Sequence, residues 1–335
     1  MAGEPSAFRV FASEVPVSAT PSPAPRRKLL VLMPTAEIHL SQLRAHHDVI
    51  YAPDAEARAK AVAEQGAEVE IVLTIGAIGL RADEIAAMPR LRAAAALGAG
   101  YEAIDVAAAK ARGITLWNGA GTNDSCVADH AMALLLASVR ALPQQEQALR
   151  AGIWRDALPL RPSVNGRRLG ILGMGTIGLR IARRALAFDM EVGYHNRRER
   201  HDALGCPYFA TPVALAQWAD FIVVAAPGGP ATKHLVNAEV LKALGPQGHV
   251  VNIARGSLVD TAALAAALAA GELGGAALDV YESEPKPPEA LLGFPNVILT
   301  PHIAGWSPES VQATIDLFLE NARRWEAGEP VLTPL

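Results

Sequence analysis

From Lys28 onward, short apolar runs alternate with Ala-rich segments of helical period. The first series is LLVLMP (29–34), DVIYAP (48–53), VEIVLTIG (69–76), LRAAAALG (91–98) and ITLWNG (114–119). The second is RRLGILG (167–173), MEVGYHN (190–196), DFIVVAAP (220–227), GHVVNIAR (248–255), GAALDVYE (275–282) and NVILTPH (296–302). These runs are continuous rather than alternating. That pattern predicts parallel strands buried on both faces, with helices as crossovers. Two such series predict two doubly wound, parallel-sheet α/β domains.

Between the series lies TNDSCVADHAMALLLASVRALPQQEQALRAGIW (122–154). Asn123, Asp124 or Ser125 can cap a helix there, and Val127, Ala131, Leu134, Leu135 and Val139 recur at helical spacing. It is expected to be one long helix joining the domains. A last amphipathic helix is expected over Ser307–Gly328, returning to the first domain. The expected division is a tail at 1–27, a discontinuous domain at 28–121 and 307–335, and a second domain at 122–306. Pro16, Pro21, Pro23 and Pro25 make the tail extended and mobile in expectation.

The chain has 335 residues, 51% of them hydrophobic, and a net charge of −4. That balance excludes a nucleic-acid or membrane surface as the expected partner. Cys126 and Cys206 lie far apart with no CxxC, so neither a disulfide framework nor a metal site is expected, and a reducing compartment fits. The first residues lack the basic-then-apolar order of a signal peptide, which makes the cytoplasm the expected location.

Candidate chemistry begins at GMGTIG, Gly173–Gly178. It ends a predicted strand and opens a helical run, the context that gives a GxGxxG motif meaning. Gly173 permits the tight turn, Gly175 lets a pyrophosphate approach the backbone, and Gly178 lets helix and strand pack closely. The helix N-terminus offers free N–H groups and a positive dipole end to phosphates. The second domain is therefore expected to be a Rossmann-type dinucleotide domain. About 20 residues past such a motif, an acidic residue normally accepts the ribose hydroxyls. That place holds Asn196, followed by Arg197 and Arg198. A carboxylate ~4 Å from a 2′-phosphate costs about 4 kcal/mol at an effective dielectric near 20. Asn196 removes that repulsion, and the arginines add attraction and forked hydrogen bonds. The expected cofactor is NADP, with NADPH preferred and NAD weaker. The alternative is that the arginines form only a solvated turn.

Three more stretches fall at C-terminal ends of predicted strands, where α/β sheets bind ligands. They carry Arg255, the pair Glu282 and Glu284, and His302. An arginine can grip a carboxylate with two parallel bonds. A histidine exchanges protons near neutral pH, and a neighbouring carboxylate favours its charged form. Hydride from a nicotinamide, a proton from His302 and an anchored carboxylate amount to reduction of a 2-oxo acid. Taken singly, Arg255 reads equally well as a surface ion pair and His302 as a capped turn.

Seven stretches in order, LGAGYEAIDV, VADHAMALLL, LGILGMGTIG, PGGPATKHLV, NIARGSLVD, GAALDVYESEP and NVILTPHIAG, resemble the D-isomer-specific 2-hydroxyacid dehydrogenase family. The resemblance runs from about Lys28 to the end. It implies a flavodoxin-like substrate domain beside the Rossmann-type one, with a cleft between them. It implies Arg255 as the substrate-binding arginine, Glu284 rather than Glu282 as the acidic partner, and His302 as general acid/base. Backbone N–H groups near Ile75, Gly76, Ala99 and Gly100 would receive the substrate carboxylate together with Arg255 and His302. Cofactor contacts are implied along Gly173, Met174, Gly175, Thr176, Ile177 and Gly178, at Asn196, Arg197 and Arg198, and at Ala226, Pro227, Thr232, Ala254, Asp279 and Gly305. Asp279 would lie near the nicotinamide amide. His130 and His195 have no catalytic match and are expected to be structural. Substrate size would depend on positions around Leu80, Trp154 and Trp306. YHNRR, APGGP and VADHAMALLL look most like the NADPH-dependent glyoxylate and hydroxypyruvate reductase branch. Rival readings are an aromatic 2-oxoacid reductase and a dinucleotide-sensing, corepressor-like binding protein. A homodimer is expected from the resemblance and from base rates.

Overall fold

The computed structural model describes residues 26–335. The expectation of an extended tail over 1–25 lies outside them. Arg27, the last residue of the expected tail, already contacts the folded frame. The Arg27 carbonyl accepts from the Asp48 N–H, and its guanidinium pairs with Glu70 at 2.6 Å and Glu326 at 3.3 Å.

The first sheet contains β1 (Lys28–Val31), β2 (Asp48–Tyr51), β3 (Ile71–Ile75), β4 (Ala93–Leu97) and β5 (Thr115–Asn118), ordered β2-β1-β3-β4-β5. Every pairing is parallel. The second contains β6 (Arg168–Leu172), β7 (Glu191–His195), β8 (Phe221–Val224), β9 (His249–Asn252), β10 (Gly275–Leu278) and β11 (Val297–Leu299), ordered β11-β10-β9-β8-β6-β7 and likewise parallel. Beyond β7, a one-residue parallel bridge joins Tyr194 to Tyr208. That bridge supplies the outer strand position of the doubly wound dinucleotide-binding order. Ten of the eleven strands lie within the apolar runs, and β1 begins one residue before its run. Away from the edge strands β2 and β11, which are only partly buried, the central residues are covered on both faces, as at Leu29, Leu73, Ile171 and Val223, each 0% exposed.

The joining helix is broken. Asp124–Arg140 and Leu142–Arg150 are separate helices bent by 58°, with Ala141 between them in the left-handed region at φ 49°. The sequence cause is Pro143: it has no N–H to bond the Val139 carbonyl of an ongoing helix, and its ring would clash with that carbonyl. Asn123 occupies the N-cap position without a side-chain cap bond. The terminal helix runs Pro308–Glu326, capped by Ser307 accepting the Ser310 N–H, and packs on helix Glu37–His46 and on β4.

In each sheet the chain leaves the second strand of the series for the opposite flank of the first, so a crevice opens past the strand ends: between β1 and β3 in one, between β6 and β8 in the other. The loops after β3, β4 and each strand from β6 to β11 carry the candidate site residues.

Candidate functional site

The glycine motif has the geometry its spacing predicts. Gly173 sits at φ 106°, a conformation that L side chains rarely adopt, and a Cβ there would collide with the Ala225–Ala226 backbone after β8. A Cβ on Gly178 would strike the Gly173 carbonyl. Gly175, the N-cap of helix Thr176–Ala187, is different: a Cβ there meets no protein atom within 4 Å. No side chain caps this helix start, so its first N–H groups are open to an anion. These residues fit a dinucleotide pyrophosphate.

Asn196 is turned inward. Its Oδ1 accepts the Met174 N–H at 2.7 Å, and its carbonyl accepts the Tyr208 hydroxyl at 3.2 Å. Arg200 donates to the Met174 carbonyl at 3.0 Å while paired with Asp202. The β7 loop thus holds both backbone groups of Met174, a role for Asn196 and Arg200 that no spacing rule announces. Arg197 and Arg198 are exposed and form no ion pair with the described residues. Thr232 is bound into its own loop, donating to the Pro227 carbonyl at 2.8 Å, and Ala226 and Pro227 follow β8 beside Gly173. Ala254 is 7% exposed, and its carbonyl accepts from Arg255 Nη1 at 2.6 Å. Gly305 packs against the Asn123 side chain.

At the other end, Glu284 Oε2 stands 2.8 Å from His302 Nδ1, and Glu284 Oε1 accepts the Tyr281 N–H at 2.9 Å. Glu282 is engaged elsewhere, with His234 at 2.8 Å and the Thr261 N–H at 3.1 Å. The Glu284 hydrogen bond raises His302 above the ordinary histidine range, against burial, which lowers it. Burial pushes the Glu284 carboxyl up, but the His302 and Tyr281 bonds outweigh it and hold the group below its usual range. With Nδ1 committed, Nε2 is the nitrogen left to exchange a proton. His302 itself has φ 55°, a left-handed conformation that requires outside support.

Asp279 supplies that support. Its carbonyl accepts the His302 N–H at 2.9 Å. Its carboxylate, 0% exposed, accepts Thr300 Oγ1 at 2.5 Å and the Ile303 and Ala304 N–H groups at 2.9 Å each, with His130 Nε2 at 3.5 Å. Burial pushes the Asp279 carboxyl up, and the bonds from His130, Thr300, Ile303 and Ala304 bring it below the usual range. The sequence reading expects this carboxylate beside the nicotinamide amide. Here Oδ1 accepts Thr300 Oγ1 and the Ile303 N–H from the turn that carries His302, and Oδ2 accepts the Ala304 N–H of the same turn. His130, expected to be structural or a bystander, bonds Thr300 Oγ1 at 3.1 Å within the same network. His195 is structural, bonding the Phe209 carbonyl at 2.8 Å.

Across the cleft, the N–H groups of Gly76, Ala99 and Gly100 have no hydrogen-bond acceptor among the described residues. Arg255 reaches them from the second sheet, its Nη2 lying against Gly100. Its charge is felt at both Glu284 and His302. The arrangement gathers anion-binding donors, a guanidinium and a proton-exchanging pair from loops of both sheets. Of the expected lining residues, Trp154 and Trp306 are 63% and 73% exposed, whereas Leu80 is 0% exposed and belongs to the first sheet's core.

Residues 132–304 match the model of the D-isomer specific 2-hydroxyacid dehydrogenase NAD-binding domain. The chain is 36% identical to hydroxyphenylpyruvate reductase of Plectranthus scutellarioides over 275 residues, covering 82% of this chain and 88% of that one. It is 38% identical to a glyoxylate/hydroxypyruvate reductase of Arabidopsis thaliana over 258 residues, 77% and 82% of the two chains. Among solved structures, an NADPH-dependent glyoxylate/hydroxypyruvate reductase from Sinorhizobium meliloti, in complex with NADP and malonate, superposes with a TM-score of 0.85 at 41% identity, covering 92% and 97% of the two chains. The chain belongs to the D-isomer-specific 2-hydroxyacid dehydrogenase family and is an NAD(P)-dependent dehydrogenase acting on a CH–OH group.

Proposed function

We propose that this dehydrogenase works as a reductase of small 2-oxo acids, glyoxylate and hydroxypyruvate, to their D-2-hydroxy acids, with NADPH preferred over NADH. The observation that carries the proposal is the 2.8 Å His302–Glu284 pair facing a guanidinium and uncommitted backbone N–H groups. A nicotinamide dinucleotide held at the Gly173–Gly178 turn would supply a hydride for the keto carbon. Arg255 and the N–H groups of Gly76, Ala99 and Gly100 hold the substrate carboxylate and fix the carbonyl's orientation. His302 Nε2 gives its proton to the carbonyl oxygen as charge develops there, and Glu284 keeps the imidazolium charged until that moment. In the reverse direction the neutral imidazole takes the hydroxyl proton. Exposed Arg197 and Arg198 support the preference for a 2′-phosphate, because a forked cation bonds phosphate oxygens well.

The likeness to hydroxyphenylpyruvate reductase, with exposed Trp154 and Trp306, favours aromatic 2-oxo acids as the second reading. The assembly we infer is a cytoplasmic homodimer. Leu142, Leu149, Ile153, Trp154 and Leu160, 43–100% exposed along one stretch, support a buried partner surface there.

Oxidation of NADPH and NADH, followed with glyoxylate, hydroxypyruvate, pyruvate and 4-hydroxyphenylpyruvate, tests the reading. Highest kcat/KM on hydroxypyruvate or glyoxylate with NADPH is expected. Nucleotide binding without turnover of any acid would instead favour a dinucleotide-sensing protein.

A further inference from the structure

Arg255 and Glu102 meet across the cleft. Glu102 lies in the loop after β4, in the first sheet; Arg255 lies in the loop after β9, in the second. Arg255 Nε donates to Glu102 Oε1 at 2.8 Å, and the two side chains are 32% and 48% exposed. Glu102 also lies against the loop that offers the uncommitted N–H groups. A Cβ on Gly100 would stand 2.7 Å from Glu102 Oε2, and one on Gly76 would stand 3.1 Å from it. The same Gly100 Cβ would collide with Arg255 Nη2. The guanidinium therefore has anchors on both sides: Glu102 at Nε, and the Ala254 carbonyl at Nη1. Nη2 is left facing Gly100.

We propose that Glu102 is a positioning residue that aims Arg255 at the Gly76–Gly100 loop and so assembles the substrate-carboxylate pocket from its two halves. This rests on the assignment of Arg255 as the carboxylate grip made above. A long arginine side chain loses rotamer freedom when it is fixed, and its fork works only when already oriented. Glu102 removes that freedom before substrate arrives. Its negative charge opposes an anionic substrate, but a carboxylate 48% exposed to water is strongly screened. Screening leaves the repulsion worth a few-fold in affinity, whereas losing the anchor costs the forked geometry. The orienting effect wins.

The experiment compares Glu102→Ala and Glu102→Gln with the parent, using KM for glyoxylate and hydroxypyruvate, inhibition by oxamate, and NADPH affinity by fluorescence. Glu102→Ala is expected to raise KM and the oxamate inhibition constant about tenfold, with NADPH affinity within twofold of the parent. Glu102→Gln keeps an oxygen for the Nε donor and is expected to recover most of that loss. A merely structural defect would move nucleotide affinity and melting temperature together with KM. Unchanged or tighter oxamate binding in Glu102→Ala overturns the proposal and makes Glu102 a competitor for Arg255. So does a Glu102→Gln variant as weak as Glu102→Ala. A parent that reduces no 2-oxo acid overturns the reading of the whole site, whereas a working parent with an indifferent Glu102→Ala overturns this inference alone.

Discussion

At the proposed acid–base end of the cleft, the candidate side chains are tied down. Glu284 bridges His302 and the Tyr281 N–H, and Asp279 gathers Thr300, Ile303, Ala304 and His130 beneath the same turn. At the ribose end, the β7 loop secures only the glycine turn, through Asn196 and Arg200 on Met174. Arg197 and Arg198 stand exposed beside it. Groups that must act on a transition state need orientation fixed in advance, because misalignment is charged to the rate. Groups that bind a charged handle far from the chemistry gain most of their effect from charge, which tolerates mobility. The two ends should therefore answer mutation differently: one in kcat, the other in KM.

Removing the proposed proton donor gives the largest expected effect. His302→Asn should lower kcat by about 10²–10⁴-fold, the usual worth of general acid–base catalysis. NADPH affinity, read by fluorescence, should be unaffected. Turnover near the parent's would show that the acid–base end is not where His302 places it.

The ribose end comes second. In the parent, kcat/KM should favour NADPH, and mainly through KM. Asn196→Asp with Arg197→Ala should reverse that preference, with a swing of roughly 10²-fold, since each 1.4 kcal/mol is tenfold. Asp retains an oxygen for the Met174 N–H that Asn196 now caps, so the glycine turn survives while the second oxygen meets the ribose. High salt should weaken NADPH binding more than NADH binding in the parent. A parent that prefers NADH would reduce Arg197 and Arg198 to a solvated turn.

Asp279→Asn separates support from cofactor contact. Replacing one oxygen by an amide nitrogen sets donor against donor in a fully buried site. An unsatisfied buried group costs about 1–3 kcal/mol, so denaturant stability should fall by that amount. The loosened His302 turn should lower kcat about tenfold. Weaker NADPH binding at unchanged stability would restore the nicotinamide contact that the sequence suggests.

The strands were legible in the sequence because burial on both faces leaves a continuous apolar run, and GMGTIG was legible because its glycines answer steric demands that no other residue meets. The break at Ala141 was also open to view, since Pro143 forbids one continuous helix, yet the apolar spacing masks it. Glu102, Asp279 and His130 were different. Their roles come from contacts between loops far apart in the chain, and an Arg255–Glu102 pair across two sheets has no period to betray it. Asn196 shows the same limit: its type suggested what it does not repel, while its actual bond runs back to Met174.

The smallest effect belongs to Glu284→Gln, and it distinguishes a charge partner from a mere prop. The Glu284 hydrogen bond raises His302 above its ordinary value of 6.5, with burial acting against it. Reduction consumes the imidazolium, so the parent keeps its rate below the raised value and loses it as pH climbs through that value. Gln still accepts the Nδ1 proton, which preserves the ring's orientation, but it no longer stabilises the positive charge. The histidine's pKa falls, and the decline in kcat/KM for reduction should begin at lower pH. His302 is half-exposed, so solvent screens its pairing with Glu284 and the charge effect is modest. Near neutral pH the loss should therefore be about tenfold or less, and it should shrink toward nothing in acid. Oxidation of the hydroxy acid needs the neutral ring, so the same variant should extend that activity to lower pH. The raised pKa also contributes to folding stability, fully below 6.5 and progressively less as pH rises through the raised value. Glu284→Gln should thus narrow the stability difference between acid and neutral pH. Superimposable pH–rate profiles for parent and variant, in both directions, would leave Glu284 as a prop for the ring and remove its charge from the mechanism.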